Sequence, residues 1–230
     1  MEANVDLAAV GRLIASPARA AMLDALFDGR SWSVGDLAAA AGVAPSTASE
    51  HLRLLLAGGL VVDGRDGRHH RFRLRGPDVA EALELLGTLA PAAPPSGLKQ
   101  ATRNGALHAA RTCYDHLAGR LGVAVTDALV ERGHLLGPEQ DFAPTPGGER
   151  AFERIGVDVA ALRRARRPLA RACLDWSERR PHLAGALGAA LLARLEAAGG
   201  LERLPTPRAV RLLAPGEALL HRLGVVPAAP

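Results

Sequence analysis

Residues 45–75 decide the fold of the N-terminal part of this chain: Pro45-Ser-Thr-Ala-Ser-Glu-His-Leu-Arg-Leu-Leu-Leu-Ala57, then Gly58-Gly59, then Leu60-Val-Val-Asp-Gly64, Arg65-Asp-Gly-Arg68 and His69-His-Arg-Phe-Arg-Leu-Arg75. Proline suits the first position of a helix, where its missing N–H would have no partner anyway. On a helical wheel over 45–57, Ala48, Leu52, Leu55 and Leu56 share one face, which predicts an inward-packing side. The opposite face carries Ser46, Thr47, Glu50, His51 and Arg53. The paired glycines end the helix. Two short runs follow, read as strands joined by a hairpin loop over Arg65–Arg68. In the second run Phe72 and Leu74 point one way and Arg71, Arg73 and Arg75 the other, the period of a half-buried strand.

Working outward, Val5–Ile14 reads as a weak first helix. Ser16-Pro17 opens a second that runs to Phe27 and stops at Asp28-Gly29. Ser33 can cap a third through Ala40, ending at Gly42, and Pro77 opens a last helix through Leu89. Two short helices joined by a tight turn, then a hairpin, is the order of a winged helix-turn-helix. Short hydrogen-bonding groups on the first turns of a helix, with a cation farther along, suit base edges and phosphates. Residues 51–75 hold six arginines against Asp63 and Asp66, although residues 1–90 as a whole are slightly acidic. Positive charge is thus concentrated where phosphates would lie. A solvated strand face is the plainer reading of those arginines, and the polar helix face beside them favours DNA. The expected contacts are Ser46, Thr47, Glu50, His51 and Arg53 on the helix with Arg65, Arg68, Arg71 and Arg73 on the wing.

The run Ser16-Pro-Ala-Arg19 with Leu23 and Leu26, Val34-Gly-Asp-Leu37, Pro45 to Arg53, Leu56, Ala57-Gly-Gly-Leu-Val61 and Gly67-Arg68 leading into Arg71–Leu74 resembles the ArsR/SmtB family of winged-helix regulators, over roughly residues 7–90. The resemblance implies a homodimeric repressor, built on the first and last helices of the unit, that binds an inverted-repeat operator in double-stranded DNA and leaves it when an effector binds. Many members sense metals through Cys-x-Cys on the helix before the recognition helix, or through His and acidic ligands on the last helix. Here Ser33–Ala41 has neither Cys nor His, and Pro77–Leu89 has Asp78, Glu81 and Glu84 but no His. Neither metal site is carried over.

The 230 residues are 48% hydrophobic but only 3% aromatic, with a net charge of +4. This is a globular composition whose cores must be built from Leu, Val and Ala. Cys113 and Cys173 are the only cysteines, too few for a disulfide scaffold. No apolar run reaches a membrane span, and the N-terminus has no signal-peptide pattern. The expectation is a cytoplasmic location with no membrane partner. There is no Gly-x-Gly-x-x-Gly, Walker loop or His-Glu-x-x-His, so no catalytic residue, cofactor or metal is assigned. The competing class is a small-molecule enzyme that uses the winged helix to dimerise.

Pro91-Ala-Ala-Pro-Pro-Ser-Gly97 reads as a stiff linker between a DNA-binding unit at 1–90 and a C-terminal effector or dimerisation unit at 98–226. The latter resembles itself. Arg111-Thr-Cys-Tyr-Asp115 matches Arg171-Ala-Cys-Leu-Asp175, and His116-Leu-Ala-Gly-Arg-Leu-Gly122 matches His182-Leu-Ala-Gly-Ala-Leu-Gly188. Gly133-His-Leu135 matches Gly199-Gly-Leu201, and Gly148-Glu149 with Arg154-Ile-Gly-Val157 matches Gly216-Glu217 with Arg222-Leu-Gly-Val225. The predicted class is mainly α with short β-hairpins. It comprises the winged helix-turn-helix and a helical C-terminal domain built from a tandem repeat, about 101–157 and 158–226. Cys113 falls on the apolar side of a predicted helix with Leu107, Ala110, Tyr114, Leu117 and Leu121. Leu162, Leu169 and Trp176 do the same for Cys173. Arg111 and Asp115 are spaced to pair at i, i+4, and Arg163, Arg167 and Arg171 to share a helix face. Buried thiols can be plain core residues. Alternatively the two copies enclose an effector cavity lined by Cys113, Tyr114, His116, Cys173, Trp176 and His182. Such a cavity could hold a soft metal, sense oxidants or take an unknown small apolar effector.

Overall fold

The computed structural model describes residues 5–67, 69–91 and 97–226. Arg68, most of the predicted linker and the last four residues fall outside them. The chain divides into two compact units, Met1–Ala80 and Glu81–Pro230.

In the first unit, α1 (Leu7–Ile14) is capped by Asp6, whose side chain accepts from the Ala9 N–H. Helix α2 (Pro17–Leu26) starts at its proline, but the Ser16 hydroxyl makes no capping bond. Helix α3 (Val34–Ala41) begins with a capping box: Ser33 Oγ accepts from the Asp36 N–H, and the Asp36 carboxylate accepts from the Ser33 N–H. Such a box satisfies two N–H groups left free by the helix start. It ends at Gly42 in the left-handed region. Helix α4 (Pro45–Ala57) buries Ala48, Leu52 and Leu55. These meet Met22, Leu23, Leu26, Leu37, Phe72 and Leu74 in one core.

The hairpin strands β1 (Val61–Asp66) and β2 (His69–Leu74) pair from Val61↔Leu74 to Asp66↔His69. They run farther than read from sequence, so Arg65 and Asp66 belong to the strand and not to the loop. Trp32 adds a short third edge, exchanging both backbone bonds with Phe72 at 2.8 Å. Helix α5 (Pro77–Leu89) starts in the first unit, where Val79 and Ala80 are buried, and continues into the second.

The second unit opens with α6 (Leu98–Ala109). A series then follows: strands β3 (Arg111–Cys113) and β4 (His116–Ala118), helix α7 (Gly119–Glu131), strands β5 (Leu135–Leu136) and β6 (Ala143–Pro144), helix α8 (Pro146–Arg154). After α9 (Val159–Arg164) come β7 (Arg171–Leu174) and β8 (Pro181–Ala184), α10 (Gly185–Ala197), β9 (Leu201–Arg203) and β10 (Val210–Leu212), and α11 (Ala214–Arg222). Each sheet is a two-stranded antiparallel hairpin. Helix α7 packs on β8 and α10 packs on β4, while β4 and β8 lie side by side. One core, with Leu129, Phe152, Ile155, Leu187, Leu195, Leu219, Leu220 and Leu223 fully or almost fully buried, joins these elements.

Both α7 and α10 begin at a glycine with positive φ, 74° at Gly119 and 78° at Gly185. A Cβ at Gly119 would meet the His108 carbonyl, and one at Gly185 the Pro168 carbonyl. The glycines of the two Leu-Ala-Gly motifs therefore turn a strand into a helix at close quarters.

Three expectations are corrected here. Cys113 and Cys173 lie on strands and not on helices. Arg111 and Asp115 do not pair with each other. Helix α9 stops at Arg164, so Arg163, Arg167 and Arg171 share no helix: they bind Glu149, Asp115 and Glu81 respectively. Pro168 stands between α9 and Arg171 and interrupts any helix there, and Arg171–Leu174 pairs with Pro181–Ala184. The short strand Arg111–Cys113 is buried by partners far along the chain, and no local period announces it.

Candidate functional site

In the first unit the inward side chains of α4 fix which residues face out. Ser46, Thr47, Glu50 and Arg53 are exposed, and neither the Ser46 nor the Thr47 hydroxyl has an internal partner among the described residues. Ser49, which sequence reasoning passed over, is also exposed, but its hydroxyl donates back to the Pro45 carbonyl at 2.9 Å. Glu50 and Arg53 bind each other at 2.6 Å on the surface. Such an exposed pair is weakly held, so Arg53 can exchange partners. His51 is half-buried, with Nδ1 3.4 Å from the Arg19 guanidinium. Arg19 is itself anchored by donating to the Leu13 and Arg12 carbonyls at 2.6 Å.

On the wing, Arg65 and Arg73 are exposed and Arg71 is half-buried, 3.8 Å from Asp36. Arg75 is occupied by Asp78. The outward arginines and the free hydroxyls of α4 thus belong to one unit, with α4 packed on β1. Arg68, read as a wing contact, lies outside the described residues.

On α3 the Asp36 carboxylate is used by the capping box. Of the acids on α5, Asp78 binds Arg75, Glu81 binds Arg171 and Glu84 binds Arg208.

The second unit holds a different constellation. In the β3–β4 hairpin Cys113 pairs across from His116, and in the β7–β8 hairpin Cys173 pairs across from His182. The two hairpins bring all four together: the donor atoms of Cys113, His116, Cys173 and His182 lie within 4.8 Å of one another. The two Nε2 atoms are 3.1 Å apart. Cys113, His116 and His182 are buried and Cys173 is half-buried.

Each imidazole turns Nδ1 toward a carboxylate, Asp115 at 3.3 Å for His116 and Asp175 at 3.4 Å for His182. Each carboxylate is gripped by an arginine: Asp115 by Arg167, and Asp175 by Arg111 at 2.8 Å. Burial alone would raise the Asp115 carboxyl; Arg167 and His116 outweigh it and bring it down to about 2. A hydrogen bond with Cys173, together with burial, pushes the Cys113 thiol well up. Burial and the neighbouring His116 push His182 well down.

Of the other two residues read as pocket lining, Tyr114 sits at the β3–β4 turn with φ 60°. Trp176 is covered by the Arg111 guanidinium at 4.4 Å and met edge-on by His108.

The chain matches the helix-turn-helix domain family over residues 14–63. It is 42% identical over 214 residues to the uncharacterised HTH-type transcriptional regulator YdfF of Bacillus subtilis (strain 168), a match covering 93% of this chain and 95% of that protein. This chain is an ArsR-family HTH-type transcriptional regulator. The ArsR-type part is also 43% identical over 80 residues to the HTH-type transcriptional regulator CmtR of Mycobacterium bovis, covering 35% of this chain and 67% of CmtR. A solved structure of a homodimeric winged helix-turn-helix DNA-binding domain from M. bovis, described as a possible ArsR-family regulator, is 33% identical, with a TM-score of 0.34 over 39% of this chain and 89% of the other. The regulator thus has a DNA-binding winged helix-turn-helix at its N-terminus, and its relatives are named as transcriptional regulators and not as enzymes. No helix among the described residues is long and apolar enough to cross a membrane.

Proposed function

We propose that this ArsR-family chain is a repressor that binds an inverted repeat in double-stranded DNA as a homodimer and releases it when the second unit takes up an effector. The observation that carries the DNA reading is the outward face of α4: Ser46 and Thr47 are exposed without internal partners, in the same unit as the outward Arg65 and Arg73. Hydroxyls on the first turns of a recognition helix reach base edges, and wing cations hold phosphates. Selection from a random duplex pool with the full-length protein is expected to enrich an inverted repeat, because a two-fold protein imposes a two-fold site. A pool that stays unenriched overturns this reading.

The dimer reading rests on apolar side chains that α1 and α5 leave in solvent. Leu7 is 77% exposed on α1, and Leu85, Leu86 and Leu89 are exposed on α5, Leu89 at 80%. Covering one leucine is worth about 1.5–3 kcal/mol. Leu7→Glu with Leu89→Glu is therefore expected to weaken self-association by tenfold or more, read by sedimentation equilibrium. Unchanged association would place the dimer contact elsewhere.

The effector reading rests on α5 and on the second unit. Helix α5 begins in the DNA-binding unit, and its Glu84 is held by Arg208 at 3.2 Å, with Arg111 at 3.6 Å. Arg111 is two residues from Cys113 on β3. A change at the Cys-His cluster therefore has a short covalent and ionic route to that helix. We further read the second unit as a tandem duplication. Its two series of hairpin, helix, hairpin and helix follow the matching sequence blocks, and the Phe142 N–H donates to the Ala170 carbonyl as the Val210 N–H does to Ala110.

A further inference from the structure

We propose that Cys113, His116, Cys173 and His182 form a tetrahedral site for one divalent d10 ion of the Zn2+ class. In the amino-acid pattern a soft metal is only one of several readings of these residues; the packing of the two hairpins puts two thiols and two imidazoles at one point. Two thiolates and two imidazole nitrogens are the donor set and geometry that zinc prefers. Ligand nitrogens about 2.0–2.1 Å from a tetrahedral ion stand roughly 3.3–3.4 Å from each other, and the two Nε2 atoms here are 3.1 Å apart.

Charge points the same way. Taking up the ion releases one proton from each thiol, and the two thiolates cancel the double positive charge. The buried centre is left neutral, whereas a monovalent ion would leave a net negative charge in the interior, which is costly.

The surroundings are those of a metal site. Asp115 and Asp175 face the Nδ1 atoms of His116 and His182. A carboxylate that accepts a hydrogen bond from Nδ1–H leaves the Nε2 lone pair for a metal; Asp115 is bonded to His116 in this way, while His182 Nδ1 lies near Asp175 without a hydrogen bond. The two Nε2 atoms face each other at 3.1 Å, a separation at which one ion can take both as ligands. Gly188 lets α10 lie close to the hairpins: a Cβ there would meet the Leu183 carbonyl at 2.5 Å and His116 Cβ at 3.2 Å. The effect of the ion on DNA rests on the effector reading above; its binding does not.

The test uses the full-length chain, reduced, stripped with chelator and titrated with Co2+ as a spectroscopic probe. One Co2+ per chain is expected, with thiolate charge-transfer absorption in the near ultraviolet and the intense visible bands of a tetrahedral centre, both lost when Zn2+ is added. Cys173→Ser replaces a half-buried thiol and is expected to cut the charge-transfer band by about half, as one of two thiolates is removed. Asp115→Asn keeps all four ligands and is expected to weaken binding about 10- to 100-fold. Absence of a thiolate band in the parent chain overturns the proposal, as does a band that survives Cys113→Ser with Cys173→Ser. Affinity for the selected duplex is measured alongside. A chain that binds Co2+ with no change in DNA affinity upholds the site and overturns the effector reading, whereas a chain without the Co2+ signal fails the site whatever its DNA affinity.

Discussion

Arg111→Met is expected to destabilise the second unit by about 3–5 kcal/mol, the cost of breaking a buried ion pair from one side. Arg111 has no exposed surface and Asp175 none. The guanidinium donates to Asp175 Oδ1 at 2.8 Å and to the Leu107 carbonyl and Ser177 Oγ at 3.1 Å. Burial alone would raise the Asp175 carboxyl; Arg111, Ser177 and His182 outweigh it and hold the group well below the usual carboxylate range. The same carboxylate accepts from the Gly119 N–H at 2.7 Å, which fixes the start of α7. Removing Arg111 leaves that charge in the interior without its cation. Urea unfolding read on Trp176, which lies under Arg111, measures the loss, and Trp32 in the first unit serves as the unaffected reporter. Arg111→Met combined with Asp175→Asn is expected to recover part of the stability, since the stranded charge is gone. A single-variant loss below about 1 kcal/mol would contradict the central place given to this pair.

The second large effect belongs to the wing. Arg65→Ala, Arg71→Ala and Arg73→Ala together are expected to lower affinity for every duplex alike. The slope of log affinity against log salt should fall by about 0.9 for each phosphate that an arginine no longer neutralises. Arg65 and Arg73 are exposed, and Arg71 is only loosely opposed by Asp36 at 3.8 Å, so little internal structure goes with them. Binding measured from low to physiological salt on specific and random duplexes reads both quantities. A variant with the parent slope but altered sequence preference would contradict phosphate binding as the role of these arginines.

The first unit was legible because its signals are local. Pro17, Pro45 and Pro77 stand at helix starts, Gly42 and Gly58-Gly59 at helix ends, and Phe72 and Leu74 alternate with arginines within one strand. What escaped there was a single-residue edge at Trp32, too short for any pattern, and the extent of the hairpin.

In the second unit the repeated blocks stand out in the sequence, but their spacing misrepresents their shape. Leu107, Ala110, Cys113, Tyr114, Leu117 and Leu121 have helical spacing, yet Arg111–Cys113 is a strand. The deciding partners of Arg111 are Asp175, sixty-four residues away, and Glu84 on α5. The cysteines and histidines were picked out as a group, but their convergence depends on hairpin register, Cys113 opposite His116 and Cys173 opposite His182. A helical reading scatters those side chains. One signal was available: Cys-x-x-His at 113–116 spans a two-residue turn, the spacing that turns two side chains to one side of a hairpin.

The reading of DNA by the exposed face of α4 is tested most directly by the affinity of Thr47→Ala for the selected duplex against the same duplex with one base pair changed at each position of a half-site. Thr47 is exposed and makes no internal hydrogen bond among the described residues, so the variant keeps its fold. The predicted result is a loss of about 1–3 kcal/mol of discrimination confined to one or two positions, with affinity for random duplex unchanged. An unchanged preference at every position in Thr47→Ala, with the preference shifted instead by the wing variants, would contradict it.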